Sequence, residues 1–287
     1  MRTKRQVLVY GGGAVGSIIG WRVAQNSSSM VSVVCRSNYE AVKRSGYELK
    51  TNTWGNGYFA PHRVLQSGTL SKTTFDQPFD YCILANKVKD DYTFALSELR
   101  RLVSPQTTLV AAQNGMDVEV PLRSTFPDNT ILSAVCNIGC AQVRPGIIEQ
   151  TASIKRPAFL IGAYGQLNAT DVHRRDTLTA LDPEFGSVNC VTQERWRKLV
   201  LNSAWNSTTA LTGLNTHEVL ERPGAARLMY QIADEAVCVA AASGVTLDED
   251  LPTQVIDLAR DSLPITPSTL QDARRRRPME LAPIFGK

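Results

Sequence analysis

The sequence predicts an α/β protein, with a doubly wound parallel sheet over residues 1–168 followed by a mainly helical domain over 169–287. Three observations predict it. The apolar run Val7-Leu8-Val9-Tyr10 leads into Gly11-Gly12-Gly13-Ala14-Val15-Gly16 and then a helical stretch over 17–24. Strand-like apolar runs alternate with helical spacing to about residue 165, and from about residue 170 the period is helical alone.

The first of these is a strand, then G-x-G-x-x-G, then a helix, which is the dinucleotide fingerprint in its structural context. Gly11 lets the chain turn off the strand, Gly13 lets backbone approach a pyrophosphate, and Gly16 lets the helix pack on the strand. The helix start adds free N–H groups and the positive end of its dipole. Gly12, Ala14 and Val15 complete the expected cofactor loop.

The following elements continue the alternation. Residues 31–35 form a compact apolar strand beside the first, completing a βαβ unit. Residues 81–85 read as a strand ending at Asn86-Lys87, and helical spacing over 92–103 stops at Ser104-Pro105. Residues 108–112 form the next strand, closing on Gln113-Asn114-Gly115, with further strands over 131–140 and 158–162. Helices are then expected at 171–181, 194–211, 225–243 and 253–262.

Composition narrows the function. A formal charge of +4 is too small an excess for a nucleic-acid or membrane-binding face, so the expected partner is a small molecule. No apolar run reaches membrane-spanning length, and residues 1–5 run into a strand instead of a signal-peptide core, so a cytoplasmic location is expected. The six cysteines lack C-x-x-C spacing and read as buried reduced thiols, with no metal site expected. Arg274-Arg275-Arg276-Arg277 reads as a solvated charge run.

The end of the second strand selects between cofactors. An acidic residue there would accept hydrogen bonds from the adenosine ribose, whereas a basic one suits a 2′-phosphate. This strand ends Cys35-Arg36-Ser37-Asn38, so Arg36 favours NADP(H). Further along, Lys198, Asn202 and Asn206 are spaced by four and fall on one stripe of a long helix, about 40° apart. Asparagine is a poor helix former and exposed faces more usually carry Glu, Lys or Gln, so the stripe reads as a polar wall, against the alternative of a solvated face.

The combined pattern resembles the ketopantoate reductases (2-dehydropantoate 2-reductases). They pair an N-terminal Rossmann domain with a helical C-terminal domain of the 6-phosphogluconate dehydrogenase type. The resemblance rests on Lys87, on Gln113-Asn114-Gly115 with Glu119, on the Lys198/Asn202/Asn206 stripe, and on Pro267-Ser268-Thr269-Leu270-Gln271-Asp272 with Arg277-Pro278-Met279-Glu280-Leu281. It spans essentially the whole chain.

What the resemblance implies is an NADPH-dependent reduction of 2-dehydropantoate to pantoate in pantothenate biosynthesis. Lys198 would be the proton donor; Asn202, Asn206 and, by a looser match, Asn215 would hold the substrate, and Ser268 its carboxylate. Glu280 would sit by the cofactor and the lysine, while Lys87 and Asn114 would line the nicotinamide side, Asn114 also touching substrate. In such a reaction hydride passes to a ketone carbon, and the oxygen gains charge that must be stabilised and protonated. A lysine, with a reference pKa of about 10.4, can do both.

The chain is shorter than the family norm after Glu280, so exposed apolar surface on the helical domain is expected. Two other readings stand beside the first: a reductase of another 2-oxo acid or ketone, and a non-catalytic NADPH-binding sensor. The oligomeric state is left open, with a homodimer as the form considered.

Overall fold

The computed structural model describes residues 4–70, 75, 77–88, 92–153, 156–165 and 168–286. Residues 1–3, part of the leader reading, lie outside the described residues. The chain forms two compact units. The first comprises residues 1–113 and 118–191, and the second residues 114–117 and 192–287.

In the first unit β1 (Arg5–Tyr10), α1 (Ala14–Ala24) and β2 (Ser29–Cys35) form the expected βαβ unit, with Val7 opposite Val31 and Val9 opposite Val33. Next come α2 (Tyr39–Ser45), β3 (Tyr47–Thr51), β4 (Gly57–Phe59) and β5 (Arg63–Gln66). After them follow β6 (Tyr81–Leu84), α3 (Thr93–Leu99), β7 (Thr108–Ala111), α4 (Val120–Thr125) and β8 (Ile131–Cys136). The unit is completed by β9 (Ile138–Arg144), β10 (Ile147–Ser153), β11 (Phe159–Ala163), α5 (Ala169–Thr179) and β12 (Phe185–Ser187). The main sheet runs β12-β11-β8-β7-β6-β1-β2-β5 and is parallel except for the β8–β11 pair.

Its central strands are apolar on both faces, as a sheet covered on both sides requires. Val7, Val9, Ile83 and Val110 enter one core with Ile18, Ile19 and Val23 of α1. Leu8, Tyr10, Cys82, Leu84 and Leu109 enter the other, with Leu99 of α3 and Leu122 of α4.

A second sheet, β4-β3-β10-β9, contributes Tyr47, Leu49, Phe59 and Ile148 to the same core as α1. Alpha1 touches both sheets, and seven of its eleven residues are buried, so it shows no amphipathic stripe. The single strand expected over 131–140 is two strands, β8 and β9, in different sheets. Placed with the helical domain by its period, α5 instead packs on β8, β11 and β12 through Leu178, so the first unit ends after residue 191 and not at 168.

The second unit is helical: α6 (Val191–Thr212), which begins at the junction, then α7 (Thr216–Leu220), α8 (Ala225–Ala242), α9 (Leu251–Asp261), α10 (Ser268–Arg274) and α11 (Leu281–Phe285). Trp205, almost fully buried, donates its indole N–H to the Val255 carbonyl at 3.1 Å and ties α6 to α9. Leu211, Leu228, Val239 and Leu263 are exposed apolar side chains of this unit. The four consecutive arginines are exposed, with Arg274 donating to the Gly213 carbonyl.

All six cysteines are free, but the expectation of burial fails at two of them. Cys35, Cys82 and Cys136 are buried and Cys140 is half-buried, whereas Cys190 in a loop and Cys238 on the outer side of α8 are exposed. Among the described residues no helix is long and apolar enough to cross a membrane.

Replacing Leu178 by Ala removes a side chain with no exposed surface and should cost about 2–5 kcal/mol in the denaturation of the first unit. A cost below about 0.5 kcal/mol would mean that α5 is not part of that core. For the glycine loop, a Cβ on Gly16 would lie 2.1 Å from the Gly11 carbonyl oxygen, whereas one on Gly13 meets nothing within 4 Å. Gly16→Ala should therefore lower stability by more than about 2 kcal/mol and Gly13→Ala by less than about 1 kcal/mol. Equal melting temperatures for the two variants would contradict this packing.

Candidate nucleotide and substrate sites

At the carboxyl end of β1 the chain turns at Gly11, whose φ of +114° favours glycine and whose Cβ would strike the Asn86 amide at 2.4 Å. The Gly11 and Gly12 amides donate to the Val34 carbonyl, tying the loop to β2. Gly12 is buried, with Tyr47 Oη and Cys35 Sγ where its side chain would be. Its carbonyl accepts from Asn38 Nδ2 at 2.6 Å and Tyr47 Oη at 3.0 Å. Burial pushes the Cys35 thiol up to about 11, so it stays neutral beside that phenol.

Beyond this point the loop opens. Gly13 begins α1 without a side-chain cap, and Gly13, Ala14 and Val15 are half-buried. Open space beside Gly13 and the uncapped first turn of α1 fit a pyrophosphate: a Cβ would intrude there, and the helix start supplies donors. Arg36 is exposed directly after β2, and Lys87 is exposed directly after β6. Gln113 Nε2 donates to Asn86 Oδ1 at 3.0 Å and to Tyr92 Oη at 2.8 Å, fixing the turn that carries Lys87 against the glycine loop.

The second unit holds the other group. On α6, Asn202 and Asn206 are 7% and 3% exposed, and Lys198 is half-buried. The stripe is therefore an interior polar face and not a solvated one. Neither asparagine side chain makes a hydrogen bond to another described residue. Arg195, one turn before Lys198 and 6% exposed, donates to the Gly115 carbonyl at 2.9 Å. The Met116 amide donates to the Pro283 carbonyl at 3.0 Å, and Gly115, with φ +98°, leaves no room for a Cβ against Pro283. This grip on residues 115–116 joins the segments that carry Asn114, Lys198 and Glu280. Glu280 is buried just before α11, and both it and Lys198 already interact with other groups of the fold.

Asn215 serves its own helix. Its Oδ1 accepts from the Glu218 amide at 3.0 Å and the Glu218 carboxylate accepts from the Asn215 amide at 2.8 Å, a reciprocal cap at the start of α7. The neighbouring Thr216 exchanges two hydrogen bonds with Ile265, three residues before the half-buried Ser268, so the segments bearing Asn215 and Ser268 are tied together.

Sequence reasoning missed Asn38, Tyr47 and Arg195, and it named Gln113 only as part of the Gln113-Asn114-Gly115 motif, without its contacts. Of the three missed, only Arg195 carried a signal, a cation one turn from Lys198 on the same helix. Asn38 and Tyr47 act through contacts between segments distant in sequence.

Two family models match the chain, described as "Ketopantoate reductase PanE/ApbA" over residues 7–165 and "Ketopantoate reductase PanE/ApbA C terminal" over residues 191–287. A 2-dehydropantoate 2-reductase of Caulobacter vibrioides is 30% identical over 280 residues, covering 96% of this chain and 88% of its own. An uncharacterised protein of Saccharomyces cerevisiae is 26% identical over 309 residues, covering 98% and 86%. Among solved structures, the 2-dehydropantoate 2-reductase from Methylococcus capsulatus superposes with a TM-score of 0.81 at 31% identity, covering 98% of this chain and 88% of that one. With both domain models matched in order, the chain belongs to the ketopantoate reductase family of NAD(P)H-dependent oxidoreductases.

Proposed function

We propose that this protein reduces 2-dehydropantoate to pantoate with NADPH, a step of pantothenate biosynthesis, the glycine-loop unit holding the dinucleotide and the helical unit the substrate. The observation that carries this is the α6 stripe, where a lysine and two interior asparagines share one face of a helix. When bound, the reduced nicotinamide supplies the hydride.

The chain's own residues do the rest. Gly13, Ala14 and Val15 hold the pyrophosphate by their amides, and Arg36 takes the 2′-phosphate through its planar fork. Lys87 and Asn114 line the nicotinamide side. Asn202 and Asn206 hold the substrate's polar groups by hydrogen bonds that their amides do not make to the described residues. Ser268 contributes a hydroxyl to the substrate carboxylate, and Asn215 keeps only its Nδ2 for a ligand because Oδ1 caps α7. Lys198 stabilises the charge that develops on the ketone oxygen and delivers the proton to it, and Glu280 supports the ammonium form of the lysine. Reduction of another 2-oxo acid uses the same groups.

Following NADPH oxidation with 2-dehydropantoate and a panel of other 2-oxo acids, Lys198→Ala should lower kcat by about 10²–10⁴-fold. Equal rates in variant and wild type would remove the lysine from the mechanism. Preferred turnover of another panel member would move the substrate assignment, and normal NADPH binding without turnover of any ketone would make the protein a sensor.

Cofactor choice is tested separately. Arg36→Ala should weaken NADPH binding by about tenfold or more and NADH binding by less than about threefold, since only the former offers a 2′-phosphate to the guanidinium. Parallel losses for the two dinucleotides would remove the assignment of Arg36.

A further inference from the structure

The residue at the N-terminal boundary of α2 is an asparagine, the type that ordinarily accepts a hydrogen bond from its own helix. Asn38 does not. Its side chain makes no cap; it is 5% exposed and turned back to the glycine loop, where Nδ2 donates to the Gly12 carbonyl at 2.6 Å and to Gln142 Oε1 of β9 at 2.9 Å. Tyr47 of β3, fully buried, donates to the same carbonyl at 3.0 Å. Burial raises the phenol's pKa well above its usual range, so it remains a donor throughout neutral pH.

Two donors thus fix one carbonyl, and in a trans peptide the carbonyl of Gly12 and the N–H of Gly13 point in opposite directions. The Gly12 oxygen is held toward Asn38 and Tyr47. The Gly13 N–H is thereby aimed away from them, on the side where a Cβ on Gly13 would meet nothing within 4 Å. A rotation of this peptide would withdraw that donor and present an oxygen to the space instead.

We propose that Asn38 and Tyr47 are positioning residues for the pyrophosphate of the dinucleotide, setting the Gly12–Gly13 peptide so that the Gly13 N–H faces the anion. The second sheet, through β3 and β9, is the support on which both stand. This rests on the dinucleotide reading above. Because the two donors share one acceptor, either alone holds the peptide partly and neither is replaced when both are gone.

The test is a double-mutant cycle on the full chain, with Tyr47→Phe, Asn38→Ala and the pair, reading the Kd for NADPH by fluorescence titration alongside the melting temperature without cofactor. Each single variant should raise Kd by about three- to tenfold, and the pair by more than the product of the two. The kcat at saturating NADPH should stay within about twofold. Lower melting temperatures with Kd unchanged within twofold in all three variants would give these residues a purely structural role and overturn the proposal. Should the pair fail to fold, Tyr47→Phe, which keeps the ring, decides by the same two readings. A wild-type chain that binds neither NADPH nor NADH would overturn the dinucleotide reading, and the proposal with it.

Discussion

A helix that starts four residues after a strand ends can still pack on that strand only if no side chain stands between them. Gly16 against the Gly11 carbonyl is that place, where an added Cβ would lie 2.1 Å from oxygen. The contact brings α1 down onto the sheet, so Ile18, Ile19 and Val23 can bury against Val7 and Val9. It also sets the uncapped start of α1 at the carboxyl end of β1, where open αβ sheets bind their ligands. The anion-binding end of the helix and the packing of its body are therefore one constraint. A residue that eased the packing would move the amides too.

The loop is also held from outside its own βαβ unit. Asn86, anchored by Gln113, closes on Gly11 from one side, and Asn38 and Tyr47 hold Gly12 from the other. The second unit shows the same arrangement on residues 114–117, where Arg195 takes the Gly115 carbonyl and Pro283 takes the Met116 amide. In both places backbone groups near the proposed chemistry are oriented by side chains or carbonyls from other segments of the same unit. Such support is what keeps a binding geometry from relaxing when it is empty.

What the sequence disclosed follows the range of the interactions involved. The glycine turn, the parallel strands 7–10, 31–35, 81–85 and 108–112, and the long helices were legible because their patterns are local and their strands are apolar on both faces. The second sheet was not, because β4 is three residues long, β3 and β10 mix polar with apolar residues, and the parallel pairing of β10 with β3 joins residues about a hundred positions apart. Alpha5 misled for a related reason. Its helical period is genuine, but its unit is decided by Leu178 packing on the sheet, which period does not report. Cys190 and Cys238 went astray because apolar neighbours in sequence do not ensure burial at a loop or on the outer side of a helix. The Lys198 stripe was legible in part: spacing placed its residues on one face, and only the structure showed that face to be interior.

Why that face matters can be argued from α6 itself, which carries two kinds of interior polar group. Its hydroxyls satisfy themselves locally: Ser203 donates to the Val200 carbonyl, Thr208 to Ala204 and Thr209 to Trp205. These cost the fold little and need no partner from outside. The carboxamides of Asn202 and Asn206 make no such bond to the described residues, although the two side chains are 7% and 3% exposed. Neither amide is among the fully buried polar atoms that lack a partner, so both keep some contact with solvent, whereas a leucine or alanine at either position would favour the helix more than asparagine does. In the reading proposed above, those two carboxamides, aligned with a lysine, are the groups of α6 that meet the polar substrate, while its interior hydroxyls serve the helix itself.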